Sequence, residues 1–271
     1  MPAAPTNRSG SASHAQPGAA TTDDTLYDGA VRLRQPATGY RVNVDALLLA
    51  AFAARGRRAD LAVDLGSGVG SVALCLHHLG AAARFALVER EAGLLGLAEE
   101  NARSARMNSQ SFACDLNLGL PDALRQVADL VVSNPPFFDP DHSRQSRQPE
   151  KMRARFGALG PFVAAAGAAL QGVRSRAAFV YPARELSHFL ACAEGVKLIP
   201  KSLRLVHADA GSPARVALIE LRRAKPGGLV ILPPLFEWSE KGVRSPELAR
   251  ILAGEVPEKA LNVGATKADR K

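Results

Sequence analysis

The sequence is poor in cysteine, in aromatic rings and in long apolar runs, and each scarcity removes a class of function. The three cysteines, Cys75, Cys114 and Cys192, lie far apart and form no CxxC pair. So sparse and odd a set excludes a disulfide framework and points to reduced thiols in a cytoplasmic protein. It leaves no cysteine-based zinc site, and the six histidines fall at no ligand spacing. His77 and His78 follow Cys75 closely, but without a second pair they read as helix-surface residues. No metal is expected. Aromatic residues make up 5% of the chain, too few for an extended base-stacking platform. No run of about 18 apolar residues is present, so no membrane span is expected. The N-terminus also lacks the apolar core of a signal peptide. Acidic residues are the minority charge, 26 against 34 Lys and Arg, for a net charge of +8. That excess favours a polyanionic partner such as RNA or DNA, or an anionic membrane, the alternative being a basic surface tuned for solubility.

What remains is an ordinary globular composition over 271 residues, 47% hydrophobic and 22% charged. It suits one α/β domain with appendages. Residues 1–24, rich in Ala, Ser, Thr, Pro and Gly, are expected to be a disordered tail, residues 25–254 one domain, and residues 255–271 a second disordered tail. Val31 to Gln35 alternates, residues 36–39 turn and Tyr40 to Val42 extends again, which predicts a small hairpin. Asn43 then caps a helix over 46–54 with Asp45 in its first turn. Asp45 either answers the helix dipole or faces a cofactor, and the sequence leaves both open.

From Leu61 onward strands and helices alternate. Strands are predicted at 61–65, 84–88, 109–113, 128–133 and 177–181, and helices from Ser71 and at 91–104, 162–170 and 183–194. Such alternation gives a mostly parallel, doubly wound sheet with helices on both faces. The extended runs 197–207 and 214–221 read as an antiparallel hairpin that closes it. A short strand at 227–234 and a helix at 247–252 complete the chain.

The candidate chemistry sits at the carboxyl ends of the strands, where open α/β sheets take ligands. The first strand runs through Asp64 into Gly66-Ser67-Gly68-Val69-Gly70, whose glycines permit a tight turn and a close ligand approach. The spacing is GxGxG, not the dinucleotide GxGxxG. The second strand ends in Glu89, placed to accept from both hydroxyls of a ribose. The third ends near Asp115, which could contact an adenine amino group; capping or a solvated turn is the alternative for both acids. The fourth ends in Asn134-Pro135-Pro136-Phe137. The prolines stop the strand and bias Asn134 toward extended backbone. The Asn side chain, a proline carbonyl and a flat ring could hold an exocyclic amine on a planar group. After it comes a basic stretch over 139–156, with Arg144, Arg147, Lys151, Arg153 and Arg155 suited to gripping phosphates; a disordered, solvated loop is the alternative, and both can hold before RNA binds.

This constellation resembles the class I S-adenosylmethionine-dependent methyltransferases, in the amino-methylating branch with an Asn-Pro-Pro-aromatic motif. The segments Val31 to Pro36, Gly39 to Ala50, Val206 to Ala208, Pro213 to Arg215 and Leu232 to Leu235 are similar to the tRNA1(Val) adenine-37 N6-methyltransferase family. The resemblance implies a Rossmann-like α/β fold and S-adenosylmethionine as cofactor. It implies that Asp45, Asp64, Gly66, Ser67, Gly68, Gly70, Glu89, Asp115 and Asn134 bind that cofactor. Asn134, Pro135, Pro136 and Phe137 would then hold the target amine, and the basic loop would hold tRNA. A monomer is expected, with a dimer left open. The motif itself specifies a planar amine. Guanine N2 in rRNA, a protein glutamine, or a non-catalytic RNA-binding module remain alternatives.

Overall fold

The computed structural model describes residues 20–38, 41–136 and 159–257. The chain opens with an antiparallel hairpin, β1 (Thr21–Leu26) and β2 (Val31–Pro36), in which Leu26 lies opposite Val31. This corrects two expectations. The hairpin partner of β2 is the segment before it, not Tyr40 to Val42, and the strand begins inside the expected 1–24 tail. The reason is polar. β1 reads TTDDTL and has no apolar alternation. Instead Asp23 pairs with Arg34 at 3.0 Å, and Asp24 accepts from Gln35 at 2.8 Å and Arg41 at 2.7 Å.

Helix α1 (Val44–Ala54) follows, capped by the Asn43 side chain accepting from the Asp45 amide at 3.1 Å. Then come β3 (Ala59–Leu65), α2 (Ser71–His78), β4 (Ala82–Glu89), α3 (Ala92–Ser104), β5 (Ser109–Ala113) and β6 (Leu130–Ser133). The second half comprises α4 (Leu159–Ala169), β7 (Arg176–Pro182), α5 (Leu186–Gly195), β8 (Ile199–His207) and β9 (Ala214–Arg222). These agree with the predicted elements apart from shifts of a few residues at their ends. Three late pieces escaped prediction: β11 (Leu235–Phe236), which follows β10 (Val230–Ile231), and the small hairpin of β12 (Trp238–Glu240) and β13 (Val243–Arg244). Segments of two or three residues carry no readable periodicity. A short helix, α6 (Pro246–Leu252), begins at a Ser245 cap.

One nine-stranded sheet organises the molecule, in the order β10-β8-β9-β7-β6-β3-β4-β5, with β11 also on β8. The pairs β5–β4, β4–β3, β3–β6 and β6–β7 are parallel, whereas β9 runs antiparallel between β7 and β8. The expected closing hairpin is therefore present. Side chains alternate across the sheet. Ala178 and Val180 of β7 join the core beneath α1, α2 and α3, whereas Ala177, Phe179 and Tyr181 join the core beneath α4 and α5. At the amino end of β7 the buried Arg176 donates to the carbonyls of Ala53 at 3.1 Å and Arg57 at 3.0 Å, closing the end of α1. Burial is the main influence on that guanidinium and pulls its pKa down.

Candidate active site

The chain leaves β3 and β6 in opposite directions: β4 and β5 extend the sheet on one side, β7 on the other. The crevice at their carboxyl ends is the topological switch point, where such sheets take ligands. Register levels the candidate residues along it. Asp64 pairs with Val132, so Gly66 and Asn134 leave the sheet together. Leu65 pairs with Val88, which sets Glu89 beside Gly66. Glu89 in turn pairs with Ala113, two residues before Asp115. With strands ~4.8 Å apart, Asn134 and Glu89 flank a span of about 10 Å.

The glycine loop is shaped from both sides. Gly66, Gly68 and Gly70 have φ of +70°, +55° and +81°, where other residues are strained. The amides of Gly66 and Ser67 donate to the Val88 carbonyl at 2.8 and 3.0 Å, tying the loop to β4. A Cβ on Gly66 would lie 2.7 Å from the Phe162 ring, whereas one on Gly68 would meet nothing within 4 Å. Gly66 is thus small because α4 packs on it, and Gly68 borders open space. The Ser67 hydroxyl is buried and has no hydrogen-bond partner among the described residues.

Two carboxylates serve the loop. Glu89 accepts from the amides of Arg90 at 2.8 Å and Glu91 at 3.0 Å through one oxygen, and from Gly68 at 3.0 Å through the other. Three backbone donors fix the group, and the oxygen on Gly68 keeps acceptor capacity. Asp64 faces α2 and accepts from the Ala73 amide at 3.2 Å. Burial pushes its pKa up to about 7, opposed by that amide and reinforced by the charge of Glu89.

Asp115 caps the short 3-10 turn Leu116–Leu118. It accepts from the Asn117 amide at 2.9 Å and side chain at 2.7 Å, both on Oδ1, and these bonds hold its pKa below the usual carboxylate range. The cap weighed for it in the sequence is present, with Oδ2 left over. Asn134 and Pro135 follow β6, half-buried and buried respectively, and Pro136 is exposed. Phe137, Arg144, Arg147, Lys151, Arg153 and Arg155 lie outside the described residues. Asp45 is 1% exposed and pairs with Arg215 of β9 at 2.7 Å. Its carboxylate thus has a protein counter-ion in addition to the helix dipole.

Sequence reasoning missed two residues. The Ser133 hydroxyl donates to the Leu65 carbonyl at 2.8 Å and joins the residue before Asn134 to the residue before Gly66. Phe162 covers Gly66 from α4. Neither has a local signal, because each acts through a contact distant in sequence. No cluster of metal-ligating side chains occurs among the described residues, and no helix there is long and apolar enough to cross a membrane.

Residues 43–153 match the family model of the methyltransferase small domain. Over that stretch the chain is similar to a methyltransferase domain. Its fold is that of the class I methyltransferases: a predicted O-methyltransferase of Agrobacterium tumefaciens superposes with a TM-score of 0.61 at 18% identity, covering 77% of this chain and 95% of that one. The TYW2 protein of P. horikoshii, solved with MeSAdo, superposes with a TM-score of 0.52 at 12% identity, over 75% and 72% of the two chains. Among curated proteins, the tRNA1(Val) (adenine(37)-N6)-methyltransferase of Glaesserella parasuis is 28% identical over 60% of this chain and 64% of its own length, just under two thirds. The protein of that name from Flavobacterium johnsoniae is 26% identical over 70% of this chain and 82% of its own length.

The residues of the crevice fit S-adenosylmethionine. Ser67 offers an unused buried hydroxyl, Gly68 borders open space, and Glu89 presents a fixed acceptor one strand away. Asp64 sits where a cationic ligand would favour its ionised form.

Proposed function

We propose that this protein methylates the exocyclic N6 amine of an adenine in tRNA, with S-adenosylmethionine as methyl donor. The observation that carries the reading is the row of strand ends: Asn134, Gly66 and Glu89 on adjacent strands at one level of the switch point. The donor, when bound, supplies a methyl group already activated on a sulfonium. Gly66 to Gly70 and Ser67 would hold its amino-acid end, Glu89 its ribose hydroxyls and Asp115 Oδ2 its adenine amine.

The target amine is a poor nucleophile, because its lone pair is delocalised into the base. The Asn134 side-chain oxygen and the Pro135 carbonyl would accept its two hydrogens. That aims the lone pair at the methyl group and favours positive charge on nitrogen as the bond forms. No strong base is needed, since the proton can leave to water afterwards. Pro136 fixes the direction of the chain, and Phe137 is assigned the stacking of a base splayed out of its loop. Arg144, Arg147, Lys151, Arg153 and Arg155 are assigned phosphates, and this basic run favours a nucleic acid over a protein glutamine as substrate. Asp45 is assigned to the anchoring of α1 through Arg215.

The choice of adenine draws support from the names of the curated relatives. The experiment is to incubate the protein with methyl-labelled S-adenosylmethionine and, separately, total tRNA, rRNA and release factor, and to identify the labelled product. N6-methyladenosine in tRNA is expected. Label in N2-methylguanosine or methylglutamine would replace the substrate, and no transfer at all would leave a binding module.

A further inference from the structure

Among the described residues, exposed cations gather at the end of the sheet opposite the catalytic one. Segments that leave the parallel strands lie at the catalytic end; segments that enter them lie at the opposite end. The turns entering β3, β5, β6, β7 and β8 carry Arg58, Arg106, Arg125, Arg174 and Lys197, and Arg223 follows β9, which runs the other way. All six are exposed. Arg125 pairs with Asp122 at 3.0 Å, but Arg58, Arg106, Arg174 and Lys197 form no ion pair among the described residues. The exposed acids Asp60 and Glu194 share this end. At the catalytic end, by contrast, the loop from Gly66 to Gly70 and the turn at Cys114 and Asp115 hold no cation. Arg90 lies between Glu89 and Glu91, Arg215 is paired with both Asp45 and Glu237, and Arg184, next to Glu185 after β7, is the exposed cation left there among the described residues.

Backbone geometry adds an independent observation. Arg106, Gln126 and Lys197 have φ of +52°, +55° and +59° in the turns at the amino end. Glycine adopts that region freely and closes helices for this reason. Here long donor-bearing side chains occupy it against a local strain. Beside Gln126 a cleft of about 340 Å³ opens between Arg125, Val196 and Arg223, with Gly167 and Ala168 as part of its wall.

We infer that this face is a second surface for the RNA backbone, holding phosphates of a folded tRNA remote from the target base. The inference rests on RNA being the substrate. A net-positive surface with unpaired arginines and few acids suits a polyphosphate chain. Seven residues of β7 separate the two ends, about 20 Å at the rise of a strand. That is beyond the loop nucleotides around a base seated at Asn134, so the phosphates held here would belong to another part of the folded RNA.

The test compares whole tRNA with an isolated stem-loop bearing the target adenine. Affinities are measured by fluorescence anisotropy at low and moderate salt. The proteins are the full chain, the pair Arg106→Gly with Lys197→Gly, and the pair Arg58→Ala with Arg174→Ala. Glycine relieves the left-handed backbone, so the first pair should not lower the thermal midpoint. Each pair should weaken whole-tRNA binding by roughly threefold for every phosphate no longer held and flatten the salt dependence by about one unit for each. Binding of the stem-loop and of S-adenosylmethionine should not change. Unchanged tRNA affinity and salt dependence in both pairs would overturn the inference, as would equal losses for stem-loop and tRNA. Because binding is read without turnover, methylation of a different base leaves this result intact. Failure of the unaltered chain to bind any RNA would instead remove the reading on which it rests.

Discussion

At Asp64 a single side chain links stability, pH and the ligand. Its pKa lies at about 7 in the folded chain against 3.8 ordinarily, because burial penalises the charged form. Folding therefore favours the protonated acid. The stability it contributes is present in full below about pH 4 and is lost as pH rises through 7. Urea midpoints measured from pH 5 to pH 8 should fall more steeply for the native chain than for Asp64→Asn; parallel curves would contradict the assignment. Gly66 and Gly68 make a second pair of predictions. Gly66→Ala adds a Cβ 2.7 Å from Phe162 in a left-handed backbone. It should cost about 2 kcal/mol or more of stability. Gly68→Ala meets no neighbour, so it should cost only about 1 kcal/mol from backbone strain. Its larger effect should appear in calorimetry, as cofactor affinity reduced at least ~10-fold. The loop, Glu89 and Asn134 were legible in the sequence, because a glycine, a carboxylate or a double proline at a strand end is a local pattern. Asp45 was legible as a helix-start acid but not as the counter-ion of Arg215, since that pairing joins residues 170 positions apart.

At the scale of elements, the order of strands followed from hydrophobic runs and turn residues, and the antiparallel closure from the two long extended runs near the end. β1 was not legible. Its strand character derives from carboxylates meeting Arg34, Gln35 and Arg41, not from an apolar face. The contacts that hold elements together were hidden for a related reason: they join distant segments. Ser133→Ala removes the hydroxyl that ties β6 to the Leu65 carbonyl. A loss of about 1–2 kcal/mol is expected by chemical denaturation, and no change in stability would show that the tie does nothing. Arg176→Ala leaves the carbonyls of Ala53 and Arg57 without their donor and empties a buried site beside Gly56, whose Cβ position lies 2.4 Å from the guanidinium. About 3 kcal/mol of destabilisation is expected. A loss under about 0.5 kcal/mol, within the usual range of surface changes, would mean that α1 is closed by other means.

For the molecule as a whole, the sheet divides labour at β3 and β6. One side of the switch point presents the glycine loop and Glu89; the other presents Asn134 and the prolines. The two halves meet at the Ser133–Leu65 hydrogen bond. Under the proposed function, such a division makes ligand binding and methyl transfer separable by mutation. Glu89→Ala should weaken S-adenosylmethionine binding, and unaltered affinity by calorimetry would remove Glu89 from the ribose. The most direct measurement pairs cofactor affinity with turnover on tRNA for Asn134→Ala in one preparation. The expected result is cofactor affinity within a few-fold of the native chain and turnover reduced at least ~100-fold, the scale of losing one oriented hydrogen-bonding partner. Native turnover in that variant would contradict the account.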